Sequence, residues 1–188
     1  MKKTVTIVSG LPRSGTSMLM QALMAGGMPI ATDEKRQPDE SNPKGYMEIE
    51  SIIDKLRDNP EFIFNYEDQV VKVIAYGLQF LPPGNYKVIY MDRNIEEVLD
   101  SMEKMADIKD EERGVTKAAF LKLNEKSKVD IRQREDMDVL FISYNKIISD
   151  PRKHLQEVHK FLADKNLDFE KMVEAVDQRL YRQRRMEG

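Results

Sequence analysis

Residues 4–17, Thr-Val-Thr-Ile-Val-Ser-Gly-Leu-Pro-Arg-Ser-Gly-Thr-Ser, run from a β-branched stretch through a turn with a glycine at each end into a helix start. Thr4–Ser9 reads as a buried strand, because β-branched side chains suit a pleated surface. Gly10 to Gly15 is a loop, and Thr16 to about Ala25 reads as a helix stopped by Gly26 and Gly27. Such a turn curls backbone N–H groups around an anion, with the helix N-terminus standing behind them. The spacing Gly10-x-x-x-x-Gly15 matches a phosphate-binding P-loop, yet the next position, lysine in that motif, is Thr16. Without the lysine, a nucleoside-triphosphate kinase or hydrolase loses its point charge on the β- and γ-phosphates. Here the cation sits inside the loop, at Arg13. The expected ligand is phosphate or sulfate.

Downstream, strands and helices alternate. Gln69–Ala75, Tyr86–Asp92 and Val139–Ser143 read as strands. Tyr46–Asp58, a helix capped by Asn94, Thr116 to about Gln133, Pro151 to Leu162 and a tail from about Phe169 read as helices. The Asn94 helix has Ile95, Val98, Leu99, Met102 and Met105 at helical spacing, and Glu96 and Glu97 in its first turn. In the Thr116 helix the expected apolar stripe is Ala119, Phe120 and Leu123. Residues 28–45 and 107–114 are polar connectors. This alternation predicts an α/β fold, a three-layer α/β/α arrangement around a parallel sheet of four to five strands, in one domain over residues 1–188. Ligands of such sheets bind beyond the carboxyl ends of the strands, which gathers Ser9–Ser17, Tyr76, Arg93 and Tyr144 on one rim.

The composition excludes other classes. The chain has 188 residues with a formal net charge of −3, without the basic surplus that a nucleic-acid binder would show. Zero cysteines rule out disulfides, thiolate nucleophiles and Cys-ligated zinc, and two histidines, His154 and His159, argue against a histidine metal site. No run of about 18 apolar residues is present, and Val5–Val8 is too short for a signal-peptide core. No membrane association and a cytoplasmic location are expected.

LPRSGTS resembles the loop of sulfotransferases, which carry Lys or Arg at the mid-loop position before Ser-Gly-Thr. Two further blocks are similar to that family in order: YKVIYMDRNIEEVLDSMEKM (residues 86–105), and FISYNKIISDPRKHLQEVHKFL (residues 141–162). The resemblance implies a P-loop-type sulfotransferase fold and 3′-phosphoadenosine-5′-phosphosulfate (PAPS) as sulfuryl donor, leaving 3′,5′-adenosine diphosphate. It implies that Arg13, Ser14, Gly15, Thr16 and Ser17 grip the 5′-phosphosulfate, that Arg93 and Ser101 hold the 3′-phosphate, and that Tyr144 lies against the adenine. Arg93 is also spaced to pair with Glu96 or Glu97 on the helix surface, and Asp92 imitates the magnesium-holding carboxylate of nucleotide hydrolases.

Sulfuryl transfer needs a base for the acceptor's proton and positive charge at the leaving oxygen. Arg13 and Lys72 suit the second task. Cytosolic members of the resembled family end the second strand in Lys-Thr-His, whose His is the base; this chain has Lys72-Val73-Ile74, so that base is missing. His154 and His159 fall on the helix after Pro151 and offer no replacement. Asn42-Pro-Lys-Gly-Tyr-Met-Glu48 resembles a segment of small bacterial sulfotransferases, and Glu48 becomes the candidate base if partial burial raises its pKa; the alternative places Glu48 and Glu50 in the first turn of a helix. Met18, Met20, Met24 and Met28 read as core, and Arg179, Arg182, Arg184 and Arg185 as a solvated helix face. A small-molecule or glycan-type acceptor with a hydroxyl or amine is expected. The competing expectations are a degenerate nucleotide kinase or hydrolase, and a PAPS-binding module without transfer activity.

Overall fold

The computed structural model describes residues 4–33 and 47–177. Four strands, β1 (Val5–Gly10), β2 (Val70–Lys72), β3 (Tyr86–Asp92) and β4 (Met137–Ser143), form a sheet in the order β2-β1-β3-β4. Every pairing is parallel, with Val8 opposite Lys72, Gly10 opposite Met91 and Asp92 opposite Ser143. The helices are α1 (Thr16–Ala25), α2 (Ile52–Asp58), α3 (Ile95–Ala106), α4 (Arg113–Arg132), α5 (Tyr144–Ser149), α6 (Pro151–Phe161) and α7 (Phe169–Glu174). Because successive strand side chains point to opposite faces, Ile7, Val71, Val88 and Tyr90 build one core with α2 and the Phe120 and Ile131 side of α4. Val8, Val70, Ile89, Met91 and Ile142 build the other with α1, α5, α6 and α7. This is the expected three-layer α/β/α arrangement, a parallel sheet between two helical layers.

Several elements depart from expectation. β2 spans three residues rather than Gln69–Ala75, and the chain then turns into a 3₁₀ segment at Ala75–Phe80. The helix expected from Tyr46 starts at Ile52; Met47 and Ser51 have φ of 48° and 52°, left-handed values that interrupt a helix. A 3₁₀ segment at Pro60–Tyr66 and the short α5 were not expected. α4 begins at Arg113, and its inward stripe is Phe120, Leu123, Asn124, Ser127 and Ile131, while Ala119 is exposed. Met20 and Met28 are core residues as expected, but Met24 is exposed, as is Met105 of α3. The cluster Arg179, Arg182, Arg184 and Arg185 lies outside the described residues. Among the described residues, no helix is long and apolar enough to cross a membrane.

Candidate active site

Parallel pairing ends all four strands on the same rim, and the loop after β1 lies there. Gly10 and Gly15 have φ of 148° and 96°, and each is closely packed: a Cβ on Gly10 would lie 2.4 Å from Ser14 Oγ, and one on Gly15 would lie 2.2 Å from the Tyr144 ring. Arg13 is also left-handed, with φ of 67°. Its carbonyl accepts from Arg93 Nη1 at 2.9 Å, a bond that holds this non-glycine residue in a sparsely populated conformation. The N-terminus of α1 has neither a side-chain cap nor an acidic residue in its first turn. Ser14 Oγ is buried without a hydrogen-bond partner. A cradle of this kind fits an anion, because unsatisfied donors and the helix dipole both favour negative charge.

The sequence-expected donor residues converge on this loop. Arg13 Nε donates to Ser101 Oγ at 3.0 Å, joining the loop to α3 across 88 residues of sequence. Arg93 leaves the end of β3 and lays its guanidinium 4.4 Å from the centroid of the Tyr144 ring. Tyr144 is itself buried, so it supports the arginine and abuts Gly15 directly. Arg93 also pairs with Glu97 at 3.0 Å, but the pair is not a surface one: the side chains are 7% and 0% exposed. Thr16 and Ser17 open α1 behind the loop.

A second cluster sits beside Ser17. Lys72, the last residue of β2, lies two residues from Val70 and so points to the α1 face of the sheet. Its Nζ reaches Ser17 Oγ at 3.4 Å and Glu48 Oε2 at 2.6 Å, with only 4% of the side chain exposed. Glu48 precedes α2 rather than lying in its first turn, as does Glu50. Thr32 Oγ1 donates to the Glu48 carbonyl at 3.3 Å and the Glu50 N–H donates to Asp33 Oδ2 at 3.0 Å, which ties this segment to the one after α1. Glu48 is therefore one half of an ion pair with the buried Lys72.

Other polar groups on the rim are committed elsewhere. Asp92 lies on the Tyr90 face of β3, away from α1, and accepts from Asn124 Nδ2 at 3.2 Å and from Lys128 Nζ at 2.7 Å. Its carboxylate serves α4 rather than the loop. Burial raises the Tyr90 phenol, whose hydroxyl donates to Asn124 Oδ1 at 2.8 Å. Ile74 caps the 3₁₀ segment where the resembled family has its histidine. His154 pairs with Glu157, and His159 Nε2 lies 3.0 Å from the Leu167 carbonyl, so both serve the α6 surroundings. Tyr76 lies exposed on the rim, edge-on to Phe80. Sequence reasoning missed Asn145, whose Nδ2 reaches both Glu97 oxygens at 3.2 and 3.1 Å; an asparagine just after a strand carries no local signal of that contact.

A family model described as the sulfotransferase domain matches residues 3–187. Among solved structures, the sulfotransferase domain of the Synechococcus PCC 7002 olefin synthase is 14% identical, with a TM-score of 0.57 over 94% of this chain and 78% of that one. The sulfotransferase domain from the curacin biosynthetic pathway is 15% identical, with a TM-score of 0.50 and the same coverage, 94% and 78%. Mouse sulfotransferase SULT7A1, solved in complex with PAP, is 20% identical, with a TM-score of 0.51; the match covers 93% of this chain but 65% of that one. At these identities the solved structures speak for the fold, and no curated protein sequence matches the chain. The match over nearly all of the sequence, together with a glycine loop that carries its cation at Arg13 and a β3–α3 arginine and serine reaching it, assigns the chain to the sulfotransferase family.

Proposed function

We propose that the protein moves a sulfuryl group from PAPS to a hydroxyl or amine of a small acceptor. The loop Arg13–Ser17 receives the 5′-phosphosulfate, Arg93 and Ser101 receive the 3′-phosphate, and Tyr144 supports Arg93 from beneath the donor site. Bound PAPS supplies an activated sulfur, whose bond to the phosphate oxygen breaks as the acceptor heteroatom bonds to sulfur, leaving 3′,5′-adenosine diphosphate. Glu48, the carboxylate opposite Lys72, takes the acceptor's proton. Lys72 and Arg13 offset the negative charge that grows on the leaving oxygen. The observation that carries this reading is that Arg13 bonds both Ser101 and Arg93 in a loop whose Ser17 is reached by Lys72, the partner of Glu48.

The test is calorimetric titration with 3′,5′-adenosine diphosphate beside magnesium-ADP and magnesium-ATP. Tight binding of the 3′-phosphorylated nucleotide, weakened tenfold or more by Arg93→Ala, is the expected result, since a charged hydrogen bond of that kind is worth roughly 1.5–3 kcal/mol. A preference for magnesium-ATP would return the chain to the kinase or hydrolase reading.

A further inference from the structure

Glu97 lies on α3 next to the site and has no exposed surface. Taking a carboxylate out of water is costly unless its charge and its lone pairs are both met. Here they are met from two directions. Arg93 Nε donates to Oε2 at 3.0 Å, and Asn145 Nδ2 donates to Oε1 and Oε2 at 3.2 and 3.1 Å. Asn145 is fixed in turn, because its Oδ1 accepts from the backbone N–H of Asn94, the N-cap of α3, at 3.3 Å. The guanidinium of Arg93 is thereby held at three points: Nε by Glu97, Nη1 by the Arg13 carbonyl, and its plane by the Tyr144 ring. An arginine free to sample its rotamers loses that freedom when it grips a ligand, whereas one already aimed presents its fork without that loss. Arginine's planar fork recognises a phosphate by geometry as well as by charge.

We infer that Glu97 and Asn145 are positioning residues of the donor site: they aim the Arg93 guanidinium and so set the preference for a nucleotide with a 3′-phosphate. This rests on the donor reading above, in which Arg93 receives that phosphate. A salt bridge serving only to join α3 to the strand ends would stabilise the fold without affecting which nucleotide is preferred.

The experiment measures affinities for 3′,5′-adenosine diphosphate and for 5′-AMP by calorimetry and takes their ratio, with thermal unfolding followed alongside. Glu97→Leu removes the acceptor of the Arg93 Nε–H and is expected to lower the ratio at least tenfold. Glu97→Gln keeps an oxygen of the same reach and is expected to hold the ratio within about threefold of wild type. Asn145→Ala releases Glu97 on one side and is expected to lower the ratio about threefold or more; this variant decides the matter if the Glu97 variants do not fold. A folded Glu97→Leu protein with the wild-type ratio overturns the inference, as does a Glu97→Gln loss equal to that of Glu97→Leu, which would leave charge rather than aim as the cause. If Arg93→Ala abolishes the preference while Glu97→Leu and Asn145→Ala leave it intact, the donor reading stands and this inference falls. A wild-type protein with no preference for the 3′-phosphorylated nucleotide overturns both.

Discussion

Lys72 brings an ammonium into the interior at the end of a three-residue strand, and Glu48 meets it from the segment before α2. The pair makes a specific demand of the chemistry. Glu48→Gln is expected to leave the affinity for 3′,5′-adenosine diphosphate within about threefold, because the proposed donor contacts are made by Arg13, Arg93 and Ser101. Transfer from PAPS to a simple phenol or primary amine is expected to fall by roughly a hundredfold, the lower range for loss of a general base. A single-turnover assay checks it, and an unchanged rate leaves Glu48 as the counter-ion of Lys72 alone. The candidates came from strings of a few residues: Arg13 from its loop, Arg93 and Ser101 from the resemblance of residues 86–105, Glu48 from the resemblance of the segment Asn42–Glu48. Contacts made across the fold could not. The four-residue spacing of Arg93 and Glu97 announces their pairing but as a surface pair; nothing nearby says that it is buried, and nothing near Asn145 says that it completes that carboxylate's hydrogen bonds.

Between elements, α3 and α4 are joined by one arginine. Arg113, the first residue of α4, reaches Glu96 at 2.8 Å, Asp100 at 2.7 Å and Glu103 at 3.1 Å, three carboxylates along one side of α3. Lys117, one turn later, adds a second cation at Glu96. The hydrogen bonds from Lys117 and Arg113 hold the Glu96 carboxyl down to about 2. Exposed pairs contribute little, but a half-buried arginine shared by three carboxylates contributes more. Arg113→Ala is expected to lower stability by about 1–2 kcal/mol in urea denaturation, with the difference shrinking in high salt as the charges are screened. The elements themselves were unevenly legible. β1, β3 and the Asn94 cap follow from β-branched runs and a short polar side chain, signals confined to a few residues. α5 escaped because it is only six residues long, follows the strand without a break and carries the β-branched Ile147 and Ile148, which do not signal a helix. In α4 the buried Asn124 and Ser127 hid the inward stripe, since a search for apolar spacing passes over a polar residue whose partner, Tyr90 of β3 or the Ala75 carbonyl of the 3₁₀ segment, lies elsewhere in the fold.

For the whole molecule, acid is the most informative stress. Asp136, just before β4, accepts from Arg134 and from the Gly84 N–H at 2.7 Å, and Arg134 holds its carboxyl down to about 2. In the unfolded chain such carboxyls take up protons near pH 4. Between those values the unfolded state binds more protons than the folded one, so stability falls as pH drops from about 4 towards 2 and is fully present above that window. Asp136→Asn is expected to lower stability at neutral pH and to flatten that acid slope, as followed by denaturant unfolding at stepped pH. The far end of β4 has a different consequence. Ser143 closes the strand and Tyr144 opens α5, with no residue between them. The joint has no slack. One inserted residue there would turn the helix by about 100° about its axis, carrying Tyr144 away from Gly15 and Asn145 away from Glu97. The same insertion between α3 and α4 would be taken up by residues 107–112, outside either helix. Length can therefore change in the connectors and not at this hinge point, where the spacing of the chain is itself part of the site.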